Sequence, residues 1–132
     1  MPVSFTWGDP EKRIARYEFV GKWTWEELYT VFHASWNEVV QLDHIVDSIS
    51  DMTQTNSIPP SAMTHVRSLA QNRPQNTGLM ILVGANTYLT MAMQTFRKLY
   101  EGTLKRDLDM VFAKSLDEAH AIIAEKQTER RA

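Results

Sequence analysis

Residues 77–83 read Thr-Gly-Leu-Met-Ile-Leu-Val, and this nearly continuous apolar stretch decides the fold. Apolar residues at both odd and even positions are typical of a central strand that is covered on both faces of its sheet. On its N-terminal side, two prolines at the start of 59–72 predict the first turn of a helix. On its C-terminal side, Gly84 and Asn86 predict the exit into another helix. A buried strand between two helices indicates an α/β fold.

Further outward, the chain continues to alternate between strand and helix patterns. The first helix is predicted to begin at Thr24 and the last at Ser115, because a glutamate three residues after each completes a capping box. The resulting order is β-β-α-β-α-β-α-β-α, which predicts one α/β domain over 1–127 and a frayed polar tail over 128–132. We expect a mixed sheet of about five strands with four helices, in which an initial hairpin lies beside three parallel strands. The other predicted strands are Val3–Trp7, Arg13–Val20, His44–Met52 and Met110–Ala113.

Composition narrows the classes of protein to consider. The chain has 132 residues, 14 Lys and Arg against 16 Asp and Glu, and no cysteine. The charge balance argues against a nucleic-acid partner, and no apolar run is long enough to cross a membrane. The absence of cysteine excludes disulfides and thiolate chemistry and is compatible with a reducing cytoplasm. The N-terminus shows no signal peptide, which also favours a cytoplasmic protein. No motif predicts a cofactor.

Several local patterns resemble the SpoIIAA-like group, the fold of STAS domains and anti-sigma factor antagonists. They are an aromatic-rich helix after Trp23, a strand that ends with Asp51 before the second helix, and a close run of residues where the last strand meets the last helix. That run comprises Phe112, Ser115, Leu116, Glu118 and Ala119. The resemblance implies a regulatory, non-enzymatic interaction module. It also implies that a serine near the start of the second helix, Ser57 or Ser61, is phosphorylated by a partner kinase.

The resemblance also implies a binding site at the loop after the third strand and the adjoining helices. We expect this loop to dock a protein partner, or a second copy of the chain as a homodimer. The polar contacts are expected from the loop, and two large apolar residues are expected to act as anchors. The predicted site comprises Asp51, Thr53, Ser57 and Ser61, with Trp23 and Met52 as the anchors.

Two other functions remain open at this point. The chain could be a small-molecule sensor with a crevice near Asp51, Gly84 and Asn86. A closed cavity lined by aromatic residues and methionine would favour the sensor, whereas a flat exposed apolar patch would favour docking. The third possibility, a hydrolase or isomerase, would need a histidine within hydrogen-bond reach of Asp51.

The remaining chemistry-bearing residues carry no local signature. The four histidines form neither a His-x-x-x-His nor a His-Glu-x-x-His motif, so the sequence predicts no metal site. Asp47 is unusual because it falls inside a predicted strand, where a charge needs a partner or a position at the edge of the sheet. The histidines are His33, His44, His65 and His120.

Overall fold

A computed structural model describes residues 2–84, 90, 91, 94, 95, 98 and 109–131. The described chain forms one α/β domain with a five-stranded mixed sheet in the order β1-β2-β3-β4-β5. β1 runs antiparallel to β2, and each of the remaining neighbouring pairs is parallel, as the alternation of elements predicts. The strands are β1 (Val3–Trp7), β2 (Ile14–Val20), β3 (Val46–Gln54), β4 (Thr77–Val83) and β5 (Met110–Ala113).

Three helices lie in the described residues: α1 (Trp25–Val39), α2 (Ala62–Asn72) and α3 (Leu116–Arg131). The prediction of four helices is therefore not confirmed, because the additional helix predicted between β4 and β5 falls largely on residues outside the described part. No helix within the described ranges is both long and apolar enough to cross a lipid bilayer.

The start of α1 agrees with the sequence pattern. Thr24 has an extended backbone, its hydroxyl accepts the amide of Glu27, and the Glu27 carboxylate accepts the amide of Thr24. This reciprocal capping box satisfies two amides that the first helical turn leaves free. At the start of α3, only one of the two hydrogen bonds of a capping box is present. Ser115 accepts the amide of Glu118, but the Glu118 carboxylate accepts the amide of Lys114 instead.

The predicted boundaries of three elements differ from the structure, and the smallest difference is at β2, which begins at Ile14 and not at Arg13. β3 begins at Val46 and continues to Gln54, so Asp51 lies within the strand and does not end it. α2 begins after Ser61, so Pro59 and Pro60 precede the helix. The pairing of β3 with β2 extends as far as Gln54, opposite Val20, and this tertiary contact lengthens the strand beyond its apolar part.

The sheet separates two apolar layers, because alternate side chains of each strand point to opposite faces. On one face, Phe19, Val46 and Met52 pack in the same core as residues of α1 and α2. On the other face, Ile49 and Ile81 pack with Ile123 of α3. The two layers place α1 and α2 on one side of the sheet and α3 on the other.

A buried ion pair explains the charge inside β3. The Asp47 carboxylate is fully buried and receives two hydrogen bonds from Arg130, of 2.8 Å from Nη1 and 2.7 Å from Nη2. The backbone amide of Leu79 donates a third, at 2.8 Å. The hydrogen bond to Asp47 raises the pKa of the Arg130 guanidinium, which therefore stays charged. Residues 128–131 accordingly continue α3, in contrast to the predicted frayed tail.

Candidate functional site

A cavity of about 120 Å³ lies between the sheet and the helices α1 and α2. Four strands contribute to its floor through the side chains that point to this face. These are Ala15, Tyr17 and Phe19 of β2, Val46, Ser48, Ser50 and Met52 of β3, Met80 and Leu82 of β4, and Met110 of β5. Because successive residues of a strand alternate between faces, the i, i+2 spacing of these residues aligns them along the cavity.

The helices form the opposite wall. α1 contributes residues at intervals of three and four, which fall on one side of a helix. α2 contributes smaller and aliphatic residues, and the segments before the two helices add Trp23 and Ile58. The helical lining residues are Trp25, Leu28, Phe32, Trp36 and Val39 of α1 with Ala62, Val66, Leu69 and Ala70 of α2.

The aromatic lining residues contact one another in an ordered series. The ring of Trp23 lies edge-on to Phe19 at a centroid distance of 5.0 Å and edge-on to Trp25 at 4.9 Å. Further along α1, Phe32 meets Tyr17 at 4.6 Å and stacks on Trp36 at 5.3 Å. Edge-to-face and offset-stacked pairs stabilise each other beyond their buried area. The wall is thus held in place by contacts among its own rings.

A histidine and two aromatic residues join α1 to α2 beside the cavity. The imidazole of His65 stacks on Trp25 at 4.8 Å, and its Nδ1 lies 2.9 Å from the hydroxyl of Tyr29. The indole of Trp25 donates a hydrogen bond of 2.8 Å to the carbonyl of Pro60. These contacts use the polar atoms of Trp25 and Tyr29 to fix the helices and the loop before α2, which sets the width of the cavity.

One polar pair near the cavity is internally satisfied. The Tyr17 hydroxyl lies 2.7 Å from Ser35 Oγ, which itself donates to the carbonyl of Phe32 at 3.0 Å. Ser35 therefore accepts the hydrogen bond from Tyr17. Burial raises the pKa of Tyr17 to about 12, because ionisation would place a charge among apolar side chains. Tyr17 is accordingly a neutral donor at physiological pH.

Two further polar residues of the lining, Arg73 and Thr77, have partners: Arg73 Nη1 donates to the carbonyl of Ala70 at 2.9 Å, and the Thr77 hydroxyl donates to the carbonyl of Pro74 at 2.8 Å. Neither Ser48 nor Ser50 has a side-chain hydrogen bond to any residue that the structure describes, although both line the cavity. The Nε1 of Trp23 is also buried without a partner in the same part of the chain. A buried polar group without a partner costs about 1–3 kcal/mol, and this cost applies to Trp23 Nε1, whereas Ser48 is only half-buried.

The residues that the sequence places at the loop after β3 are separated by the structure. Trp23 and Met52 are buried, with 5% and 6% exposure, and both line the cavity. Thr53 and Ser61 are exposed, and Ser57 is half-buried. The predicted anchors thus point into the domain, whereas the predicted polar contacts lie near its surface.

Asp51 lies on the face of the sheet opposite the cavity. Its Oδ1 accepts hydrogen bonds from the amide and hydroxyl of Thr53, and its Oδ2 lies 3.8 Å from Arg16 Nη2. Among the described residues, no histidine is a hydrogen-bond partner of this carboxylate, which is what a hydrolase or isomerase would require. Gly84 lies against Thr53. Asn86, the third residue of the predicted crevice, lies outside the described residues.

Neither a metal-binding cluster nor a similar known protein identifies the function of this site. Within the described ranges, no group of three or more His, Asp or Glu side chains could hold a metal ion. Among known proteins, no family model matches the chain and no curated protein is similar to it.

The sequence patterns did not predict this cavity as a binding site, although Trp23 and Met52 of its lining were among the predicted binding residues. The signal that could have found it is the pair Ser48 and Ser50, which alternates with Ile49 and Asp51 in an otherwise apolar strand. A core strand that packs only against helices would be expected to carry aliphatic residues at both serine positions.

Proposed function

We propose that this protein is a small-molecule-binding module that holds an apolar ligand between the sheet and the helices α1 and α2. The observation that carries the proposal is the cavity of about 120 Å³ with its aromatic and methionine lining. A closed cavity with such a lining was the condition under which the sequence favoured a sensor over a docking surface, and this cavity has the lining but is partly open. Ligand pockets in proteins are predominantly apolar with a few polar groups that orient the ligand.

The size of the cavity supports the proposal. Protein interiors are packed as densely as organic crystals, with few voids larger than a water molecule. A space of about 120 Å³ between the sheet and the helices therefore exceeds an ordinary packing defect.

The arrangement of the wall also supports the proposal. Trp23, Trp25 and Phe32 are already fixed by contacts with neighbouring rings. A wall that does not have to reorganise loses little conformational entropy when a ligand binds, so more of the burial energy contributes to affinity.

Toluene is a suitable first probe, because cavities of about 150 Å³ accept molecules of benzene size. We expect saturable binding by calorimetry, with a change in tryptophan fluorescence and a rise in Tm. Ala70→Leu, which adds three carbons to the lining, should abolish binding, whereas Ala34→Leu on the exposed side of α1 should not. No saturable binding by the wild-type protein, or equal binding by the two variants, would reject the proposal.

A second proposal is the phosphorylation-controlled docking module that the SpoIIAA-like resemblance implies. The supporting observation is Ser61, which is exposed directly before α2 and whose hydroxyl makes no capping hydrogen bond. A pull-down should lose its partner when the bait carries Ser57→Asp and Ser61→Asp. The charge control is Thr64→Asp, on the exposed part of α2, which should keep the partner. A partner that stays on the double variant would exclude this scheme.

A further inference from the structure

We infer that the ligand of the cavity is a molecule of about phenol size that carries one hydroxyl or carbonyl group, which pairs with Ser48 or Ser50. The inference rests on the proposed function, because it assumes that the cavity takes a ligand. It adds the chemical class of that ligand, and it follows from the two serine hydroxyls on the cavity floor.

The position of the two serines carries the first step. They alternate with Ile49 on β3, so both side chains point to the cavity face between Val46 and Met52. β3 pairs with β2 on one side and β4 on the other, which places it at the middle of the sheet. A polar group of the ligand would therefore meet the serines above the centre of the floor.

The second step rests on the hydroxyls of Ser48 and Ser50, which have no hydrogen-bond partner among the described residues. Ser50 is only 8% exposed, yet neither its hydroxyl nor that of Ser48 has a hydrogen bond to the described chain. Tyr17 and Ser35, by contrast, satisfy each other on the same side of the sheet. A serine hydroxyl can both donate and accept, so it can pair with a hydroxyl or with a carbonyl group.

The third step concerns the size of the ligand. A volume of about 120 Å³ suits a molecule with about five to eight non-hydrogen atoms, by comparison with cavities that bind benzene.

Phenol and toluene test this inference, because they differ by one hydroxyl in place of one methyl group. Toluene partitions out of water more readily, so a purely apolar cavity would prefer it. We expect wild-type protein to bind phenol at least as tightly as toluene in calorimetric titrations. The double variant Ser48→Ala/Ser50→Ala should lose about tenfold in affinity for phenol but not for toluene. The single variants Ser48→Ala and Ser50→Ala give the same comparison if the double variant does not fold.

Each result separates the inference from the proposed function. If toluene binds and phenol binds more weakly, or if phenol affinity is unchanged in all serine variants, the inference is overturned while the cavity remains a ligand site. If benzoate binds more tightly than phenol, Arg73 and not the serine pair selects the ligand, and the inference is overturned. If neither toluene nor phenol binds, the proposed function fails with it. Ser4→Ala, on β1 outside the cavity, is the control and should leave both affinities unchanged.

Discussion

At the scale of single residues, Asp47 and Arg130 show how one buried charge links distant parts of the chain. They lie 83 positions apart, and Arg130 remains partly exposed while Asp47 is fully buried. The Cβ of any residue larger than glycine at position 78 would collide with both side chains, so Gly78 leaves room for the pair. The sequence shows that Asp47 needs a partner, but it does not show which of 14 basic residues provides it.

Removing one member of this pair should be strongly destabilising. Arg130→Met leaves the Asp47 carboxylate buried without its counter-charge, and we expect the free energy of unfolding to fall by about 3–5 kcal/mol in urea titrations. The combination Asp47→Leu/Arg130→Met should recover most of this loss. Lys126→Met is the matched control on α3, because its exposed pair with Glu129, at 3.9 Å, contributes less than about 1 kcal/mol. Equal losses in both single variants would contradict a role of the buried pair.

Tyr17 should make the stability depend on pH in the alkaline range. Its pKa is raised to about 12 in the folded protein, from the ordinary value of 10.0. The raised pKa means that its full contribution to stability is present below pH 10 and is lost as the pH rises towards 12. A shift of this size corresponds to about 2–3 kcal/mol.

Urea titrations at pH 8, 10 and 11 should therefore give a steeper loss of stability for the wild-type protein than for Tyr17→Phe. Tyr29→Phe keeps Tyr17 in place and should lose stability as steeply as the wild type. The contribution of Tyr17 would be excluded if wild type and Tyr17→Phe followed parallel curves.

At the scale of secondary structure, patterns that depend on neighbouring residues predicted the elements well. The bounds of β1, β4 and β5 agree with the sequence prediction, as does the capping box of α1. The boundaries that differ most from the prediction, at β3 and α2, are those set by pairing with another strand or by loop geometry. Ser61, for example, adopts a left-handed backbone with φ of 69°, which its sequence context does not indicate.

The capping box provides the prediction at this scale. Thr24→Ala removes the acceptor for the Glu27 amide, and we expect a loss of about 1 kcal/mol in the free energy of unfolding. Thr30→Ala is the control, because Thr30 lies on the exposed side of α1 and only its hydroxyl bonds back to the carbonyl of Glu26. Thermal unfolding followed by circular dichroism should give a lower Tm for Thr24→Ala than for Thr30→Ala. The reverse order would show that the cap does not limit the stability of α1.

At the scale of the whole molecule, the two serines on the cavity floor can be tested for whether they serve the fold or a ligand. Ser48→Val/Ser50→Val removes two unpaired hydroxyls, adds apolar volume and introduces residues that favour strands. We expect the free protein to gain about 1–2 kcal/mol in urea titrations and to lose ligand binding. Ser4→Val, on β1, should change stability by less than about 0.5 kcal/mol. A destabilised double variant would show instead that the serines serve the fold.

The sequence by itself determined the order of the elements that the structure describes, the mixed sheet, and the parallel direction of β3, β4 and β5, because each of these depends on apolar period, caps and crossover rules over short stretches of chain. It also predicted Trp23 and Met52 as anchors for a protein partner, whereas the structure places both in the lining of the cavity. Only the tertiary structure decided that Asp47 pairs with Arg130 and that Ser48 and Ser50 face an apolar cavity. Both depend on the distance between elements that are far apart in the chain, and that distance is set by packing between the sheet and its helices.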